Sequence, residues 1–403
     1  MRHGTWRSNI GPNGMAEGRL HIGVDGRELV GQSTGVGRYV HEVVRHWTAD
    51  PSWPHAVTAF VPEPVSPEVA AALGPSVNWV VIPAPHGGTW WEQWQLPRAL
   101  RRTRVDVLFA GAYTAPVFCP CPFVVVVHDV SFTAHPEWFS RREGVRRRWL
   151  TRQSAHRAAR VITVSEFSAR EIVGWLGLDR GRITLASPGA PTPHAPRHPG
   201  TPGTLGTPGT SGTPGPLAPQ HPTVLYVGSL FNRRLVPELI AAFARVTRRV
   251  PDARLVLVGD NRTVPHVDPR EVARQHGVTT QVEWREYVSD AALDALYAEA
   301  RVFAFLSTYE GFGMTPLEAL AHGVPVVLLD TDVSREIYGD GARLVSADPD
   351  AIADALAQLL VDPSAHRAQL ERGLPLLDRY TWGRTAATIR EALERAALDR
   401  GHR

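Results

Sequence analysis

From Thr201 to Pro216 the chain reads Thr-Pro-Gly-Thr-Leu-Gly-Thr-Pro-Gly-Thr-Ser-Gly-Thr-Pro-Gly-Pro, a repeat whose one large apolar side chain is Leu205. A segment that buries nothing cannot offset the entropy lost on ordering it, so residues 190–222 are expected to form a disordered connection. The tract lies near the middle of a chain of 403 residues and leaves two halves, each long enough for its own core. The expected organisation is a disordered leader over 1–19, a first domain over 20–189, the connection, and a second domain over 223–380. A C-terminal helix over 381–403 can then pack back on the first domain.

Each half alternates short β-branched runs with longer helical patterns. Leu20–Val24, Val57–Val61, Trp79–Ile82, Val105–Phe109, Phe123–Val127 and Val161–Val164 read as buried strands. Val36–Trp47, Glu92–Arg102 and Arg146–Arg160 read as helices between them. The second half gives strands at Thr223–Val227, Leu255–Val258, Val282–Trp284, Val302–Phe305 and Val326–Leu329, again with helices between. This alternation predicts an α/β protein of two Rossmann-like, doubly wound parallel sheets. Ligands of such sheets sit beyond the carboxyl ends of the strands, and two facing domains would offer a cleft.

Composition narrows the chemistry. All 43 basic residues are arginine, which removes lysine Schiff bases, catalytic lysines and a phosphate-loop lysine. A formal charge of +3 does not argue for nucleic acid. No apolar run approaches the roughly 20 residues that span a bilayer, and residues 1–19 lack the apolar core of a secretory signal. A cytoplasmic protein is expected. Cys119 and Cys121 flank Pro120 with no second pair to complete a zinc site, so they are expected as two buried free thiols. No metal site and no cofactor are expected.

Thr308-Tyr-Glu-Gly-Phe-Gly-Met-Thr-Pro-Leu-Glu318 sets Glu310 and Glu318 around a glycine turn and a helix start. Gly311 and Gly313 open backbone angles closed to other residues, and Pro316 suits a first helical turn. The free amides of the turn could face a phosphate, with Glu310 reaching hydroxyls of a sugar and Glu318 another pair. The same residues also fit a capping box from Thr315 to Glu318. Thr34-Gly-Val-Gly37, between the first strand and the first helix, could point its amides at a phosphate or be a tight turn. His128-Asp129 ends an expected central strand and should face the cleft, although a loop-capping histidine fits as well. Trp90–Arg102 joins three tryptophans to a basic end and suits either a membrane interface or an ordinary packed helix. The run Arg141–Arg148 could attract phosphates or an anionic lipid surface, or be a solvated helix face.

Over residues 20 to 390 these segments resemble family 4 of the retaining glycosyltransferases, enzymes of the GT-B fold. The resemblance is carried by Val24–Arg27, Thr34–Tyr39, Val127–Phe132, Pro136–Phe139, Val161–Ser168, Tyr287–Asp290, Leu296–Ala298, Thr308–Val326 and Ile337–Ala342. It implies that His128 contacts the donor sugar, that Gly35 and Gly37 lie near the donor phosphates or the acceptor, and that Asp129 and Arg38 lie on the acceptor side. Asp129 could also orient the His128 ring. Arg233 and Arg234 match a family loop ending Arg-Lys-Asn whose cations hold the donor diphosphate; here Arg234 stands for lysine and Leu235 for asparagine.

The implied catalytic set is His128, Glu310, Arg233 and Arg234, with Gly311, Phe312, Gly313, Met314, Thr315 and Glu318 around the donor. The implied reaction moves a hexose, mannose or similar, from a nucleoside diphosphate sugar to a hydroxyl of a glycan or lipid-linked acceptor, independently of metal. Peripheral contact with the inner face of the membrane is a further expectation. A sugar-nucleotide epimerase of the same fold and a non-catalytic sugar-nucleotide-binding partner remain open as alternatives.

Overall fold

A computed structural model describes residues 19–31, 34–85, 88–191 and 221–399. Residues 1–18 of the expected leader and 192–220 of the expected connection lie outside the described residues. The rest divides into two compact units: residues up to Gly189 together with those from Trp382, and Ala190–Thr381.

The first unit is built on seven strands: β1 (His21–Asp25), β2 (Ala56–Val61), β3 (Val77–Val81), β4 (Val107–Ala110), β5 (Phe123–Val126), β6 (Arg160–Thr163) and β7 (Ile183–Leu185). They pair in the order β3-β2-β1-β4-β5-β6-β7, every pair parallel. The second unit holds β8 (Thr223–Val227), β9 (Arg254–Val258), β10 (Val282–Arg285), β11 (Val302–Phe305), β12 (Val326–Leu329) and β13 (Arg343–Val345), ordered β10-β9-β8-β11-β12-β13 and again all parallel. Parallel strands need helical crossovers, which cover both faces and keep the strands apolar. Accordingly every residue of β4, β5, β11 and β12 is buried.

Strand order reverses between β1 and β4 in the first unit and between β8 and β11 in the second. In open α/β sheets the crevice beyond the carboxyl ends at such a reversal is where ligands bind.

Several boundaries depart from the sequence reading, each for a local reason. Val105 donates its amide to the Leu100 carbonyl and so closes the preceding helix rather than opening β4. The helix expected at Arg146–Arg160 runs from Arg141 to Arg157, because Arg160 already pairs with Val124 in β6. The helix expected at Glu92–Arg102 is a longer helical run, Gly88–Thr103, whose middle (Trp91–Gln95) is a π-helix. Ala190 is not loose: its amide donates to Tyr380 within the second unit.

The helix Trp382–Leu398 belongs to the first unit. It buries Trp382, Ala386, Ile389, Leu393 and Ala396, spaced three or four apart as one apolar stripe requires. The indole of Trp47 donates to the Ala386 carbonyl, His55 meets Glu394 at 2.9 Å, and Trp382 lies edge-on to Tyr39. Neither cysteine is in a disulfide; their Sγ atoms lie 3.8 Å apart, Cys121 is buried as expected and Cys119 is only half-buried.

Candidate active site

In the second unit the site grows from the carboxyl ends of β8 and β11, the two strands at the reversal. Gly228 and Ser229 follow β8, and a short 3-10 turn, Asn232–Arg234, carries the two arginines. Ser307–Glu310 follow β11. Two hydrogen bonds join the loops: the Thr308 amide donates to the Arg233 carbonyl at 2.8 Å, and the Arg233 side chain donates through Nε to the Tyr309 carbonyl at 3.2 Å.

Arg234 Nε lies 2.9 Å from Glu310 Oε1 and its Nη1 donates to the Ser229 carbonyl at 2.9 Å. The Ser307 hydroxyl lies 2.9 Å from the same Glu310 oxygen, and Arg233 Nε stands 3.9 Å from it. Both guanidiniums lie over the Phe231 ring, and Arg234 also over Phe305, so aromatic faces support the charges from below.

Burial pushes the Glu310 carboxyl up, but the two guanidiniums and the Ser307 hydroxyl together outweigh it and hold the group below the ordinary carboxylate range. Burial likewise pulls Arg234 down, and Glu310 together with the hydroxyl of Tyr226 more than reverses it. The cluster therefore stays ionised, two cations against one anion. Among the described residues Glu310 Oε2 has no hydrogen-bond partner and can accept from a ligand hydroxyl.

Gly228 makes room for this arrangement: a Cβ there would lie 2.7 Å from Arg234 Nη1, at a φ of 147° that side chains avoid. Tyr226, Gly228, Ser229 and Ser307 are site residues that motif reading missed. Their signal is positional, two strand ends meeting at the reversal.

The glycine turn departs from its sequence reading in part. Thr315 is the first helical residue rather than the cap, Met314 precedes it without a side-chain cap, and the Thr315 hydroxyl is buried without a partner. The capping box is thus not formed. Gly313 has a φ of 81° and accepts from the Tyr338 hydroxyl. Phe312 turns its ring into the core, edge-on to Tyr380, so only its backbone is left for a ligand. Glu318 is 7% exposed and its Oε2 accepts from Tyr297, which makes it more enclosed than a ribose-binding role suggests.

In the first unit His128 follows β5. Its Nε2 lies 3.0 Å from the Gly111 carbonyl, which can only accept, so Nε2 carries the proton and Nδ1 is the free acceptor of the neutral ring. Burial lowers its affinity for a second proton, against smaller opposing pulls from Gly111 and Asp129. Tyr39 stands edge-on to the ring and Tyr113 is tilted against it.

Asp129 does not orient His128: its two oxygens take the Tyr113 hydroxyl and the Ser131 amide. Gly35 and Gly37 are not a loop either; they form the first turn of the helix Gly35–Ala49. There Thr34 caps the Gly37 amide and Arg38 donates its amide to the Thr34 carbonyl. Gly37 is required by contact, since a Cβ would lie 2.4 Å from the Glu28 carbonyl oxygen.

At the β1/β4 reversal the sequence reading also missed a buried ion cluster. Arg27 bridges Asp25 (2.8 Å) and Glu92 (2.9 Å), both carboxylates 1% exposed. Burial pulls Arg27 down and the two carboxylates more than reverse it.

Two parallel-sheet units, each with polar groups gathered at its strand-order reversal, define a Rossmann-like α/β architecture, and the second carries an Arg-Arg-Glu cluster. Residues 33–192 match the family described as Glycosyltransferase Family 4, and residues 214–373 match Glycosyl transferases group 1. The chain belongs to the family 4 glycosyltransferases, of the GT-B fold.

It is 26% identical over 260 residues to an O-antigen chain mannosyltransferase B of Escherichia coli (64% of this chain, 66% of that one). It is 30% identical over 188 residues to a phosphatidyl-myo-inositol mannosyltransferase of Mycobacterium tuberculosis (44% and 48%). In each case it spans less than two thirds of the relative. In fold it is similar to Anabaena HepE, crystallised with UDP and glucose, at a TM-score of 0.69 and 16% identity over 93% of this chain and 99% of that one.

Proposed function

We propose that this protein is a retaining hexosyltransferase that takes a nucleoside diphosphate sugar, mannose or a similar hexose, as donor and a glycan or lipid-linked hydroxyl as acceptor. The observation that carries the reading is the Arg233-Arg234-Glu310 cluster at the β8/β11 reversal. Departure of the leaving group builds charge on a diphosphate, and two fixed cations on a supported loop stabilise that charge without reorganising. A guanidinium presents a planar fork matched to phosphate oxygens, so arginine in place of lysine keeps the chemistry. These cations supply the neutralisation for which other transferases use a metal, which supports metal independence.

Glu310 Oε2 would accept from the hydroxyls of the sugar, and His128 Nδ1, in the first unit, from a substrate hydroxyl. Glu318 would meet the ribose after a shift of Tyr297. Mannosyltransferase relatives favour mannose, and the UDP-bound neighbour in fold favours a nucleotide sugar.

The test is incubation with GDP-mannose, UDP-glucose and UDP-galactose, with and without hydroxyl acceptors, followed by the anomeric configuration of the product by NMR. Transfer with the donor's configuration kept is expected, in EDTA as well as without it. Inversion would sink the retaining mechanism, donor conversion without acceptor would make the protein an epimerase, and binding without turnover would make it a non-catalytic partner.

A surface role at the inner face of the membrane is supported by the first unit. Trp91, Leu96 and Leu100 of the helical run are packed, but Trp90 and Trp94 are exposed, stacked on one another, with the Arg98 guanidinium over Trp94. Arg146 reaches Thr89, which brings the arginine-rich helix Arg141–Arg157, with exposed Val145 and Trp149, beside them. Aromatic rings with arginines suit an anionic lipid interface. Among the described residues no helix is long and apolar enough to cross a membrane.

A further inference from the structure

The loop after β4 is fixed from two sides. On one side the Tyr113 amide donates to the Val126 carbonyl at 2.8 Å and its hydroxyl to Asp129 at 3.0 Å. On the other the Thr114 hydroxyl donates to Glu92 Oε1 at 2.5 Å, the oxygen that also takes Arg27 Nη2. Between them the Thr114 amide bonds the Ala112 carbonyl at 2.7 Å, closing a three-residue γ-turn around Tyr113, whose φ is 64°.

That conformation is rare and strained for a residue with a side chain, and it persists only where its surroundings over-determine it. The residue on the near side of the turn is Gly111. Its carbonyl is the acceptor of His128 Nε2, and its place is set by contact, because a Cβ would lie 2.3 Å from Val40. The cluster behind Thr114 holds two carboxylates and one guanidinium. A purely structural pair would need only one carboxylate, and surplus buried charge is costly to keep. Glu92 sits on the π-helix, a distortion that recurs at functional sites.

We propose that Glu92 and Thr114 are positioning residues that hold His128 in its Nε2–H form, acceptor nitrogen outward, by pinning the γ-turn that presents the Gly111 carbonyl. The proposal rests on the reading of His128 as a substrate contact. Without the Thr114 hydroxyl the turn relaxes toward an ordinary backbone conformation, the Gly111 carbonyl moves, and the ring is free to take the other tautomer, which offers a donor where an acceptor is needed.

The experiment uses the full chain with 15N-labelled histidine. Long-range 1H–15N correlation reads the His128 tautomer directly, and steady-state kinetics with the best donor reads kcat and KM. Wild type should show the Nε2–H form alone. Thr114→Val should show a mixture, with kcat down between about 10- and 100-fold and donor KM little changed. Thr114→Ser should restore both, and Glu92→Gln should shift the tautomer in the same direction.

A single unchanged tautomer in Thr114→Val and Glu92→Gln, whatever the loss of activity, overturns the proposal. The underlying reading is separated by His128→Ala: wild-type transfer in that variant would remove His128 from the substrate contacts while a tautomer shift in Thr114→Val would still establish the positioning.

Discussion

Leu235 follows the second arginine at the head of the helix Val236–Arg249, in a backbone conformation that opposes its side chain. It has φ 45° and ψ 41°, the left-handed region, and it occupies the cap position without a side-chain hydrogen bond. An L-residue there costs on the order of 1 kcal/mol, less for asparagine, which can also cap a helical amide. Leu235→Asn is therefore expected to stabilise the protein by about 1–2 kcal/mol, raising Tm by a few degrees. A Tm that stays level or falls would show that the loop is held by its guanidinium contacts rather than strained.

Glu310 makes the matching statement about pH. Its folded carboxyl titrates below the unfolded value of about 4.3, so its contribution is present above that value and lost as pH falls through the folded one. Glu310→Gln should flatten the acid limb of the stability curve below about pH 4. An unaltered limb would place acid unfolding elsewhere. Glu310 was legible from its place before the glycine turn, and Arg233 and Arg234 through the resemblance to the family's diphosphate loop. Ser307 and Ser229 were not, because a serine becomes a site residue only through the neighbours that folding supplies.

At the scale of elements, the central strands were read from the sequence because burial on both faces forces unbroken β-branched runs. β7 and β13 were missed: each is a three-residue edge strand with a partly exposed pattern. The π segment Trp91–Gln95 has no periodicity of its own to betray it, and Thr34 pulled Gly35 and Gly37 into the helix by capping it.

The run Gly88–Thr103 also carries the membrane reading. Trp94→Ala with Trp149→Ala should lower the binding constant for phosphatidylglycerol vesicles by about 100-fold or more, since each buried aromatic contributes roughly 1.5–3 kcal/mol and about 1.4 kcal/mol is tenfold, with little binding of either protein to neutral phosphatidylcholine vesicles. Equal cosedimentation of wild type and variant would return the exposed tryptophans to the ordinary surface.

For the whole molecule, two doubly wound sheets repeat one device, polar groups gathered where strand order reverses. The alternation of patterns and the Thr-Pro-Gly tract made two units legible, whereas the exact return of the chain to the first unit at Trp382 depends on contacts with Trp47, His55 and Tyr39 far away in sequence. The proposed function requires the second unit's cations to capture an anionic leaving group.

Turnover of Arg234→Ala, measured beside Glu310→Gln on variants whose circular dichroism matches wild type, tests that most directly. Loss of one preorganised charge contact should lower kcat by about 100-fold or more, with each variant still folded. Wild-type turnover in both would contradict the assignment of this cluster as the site of transfer.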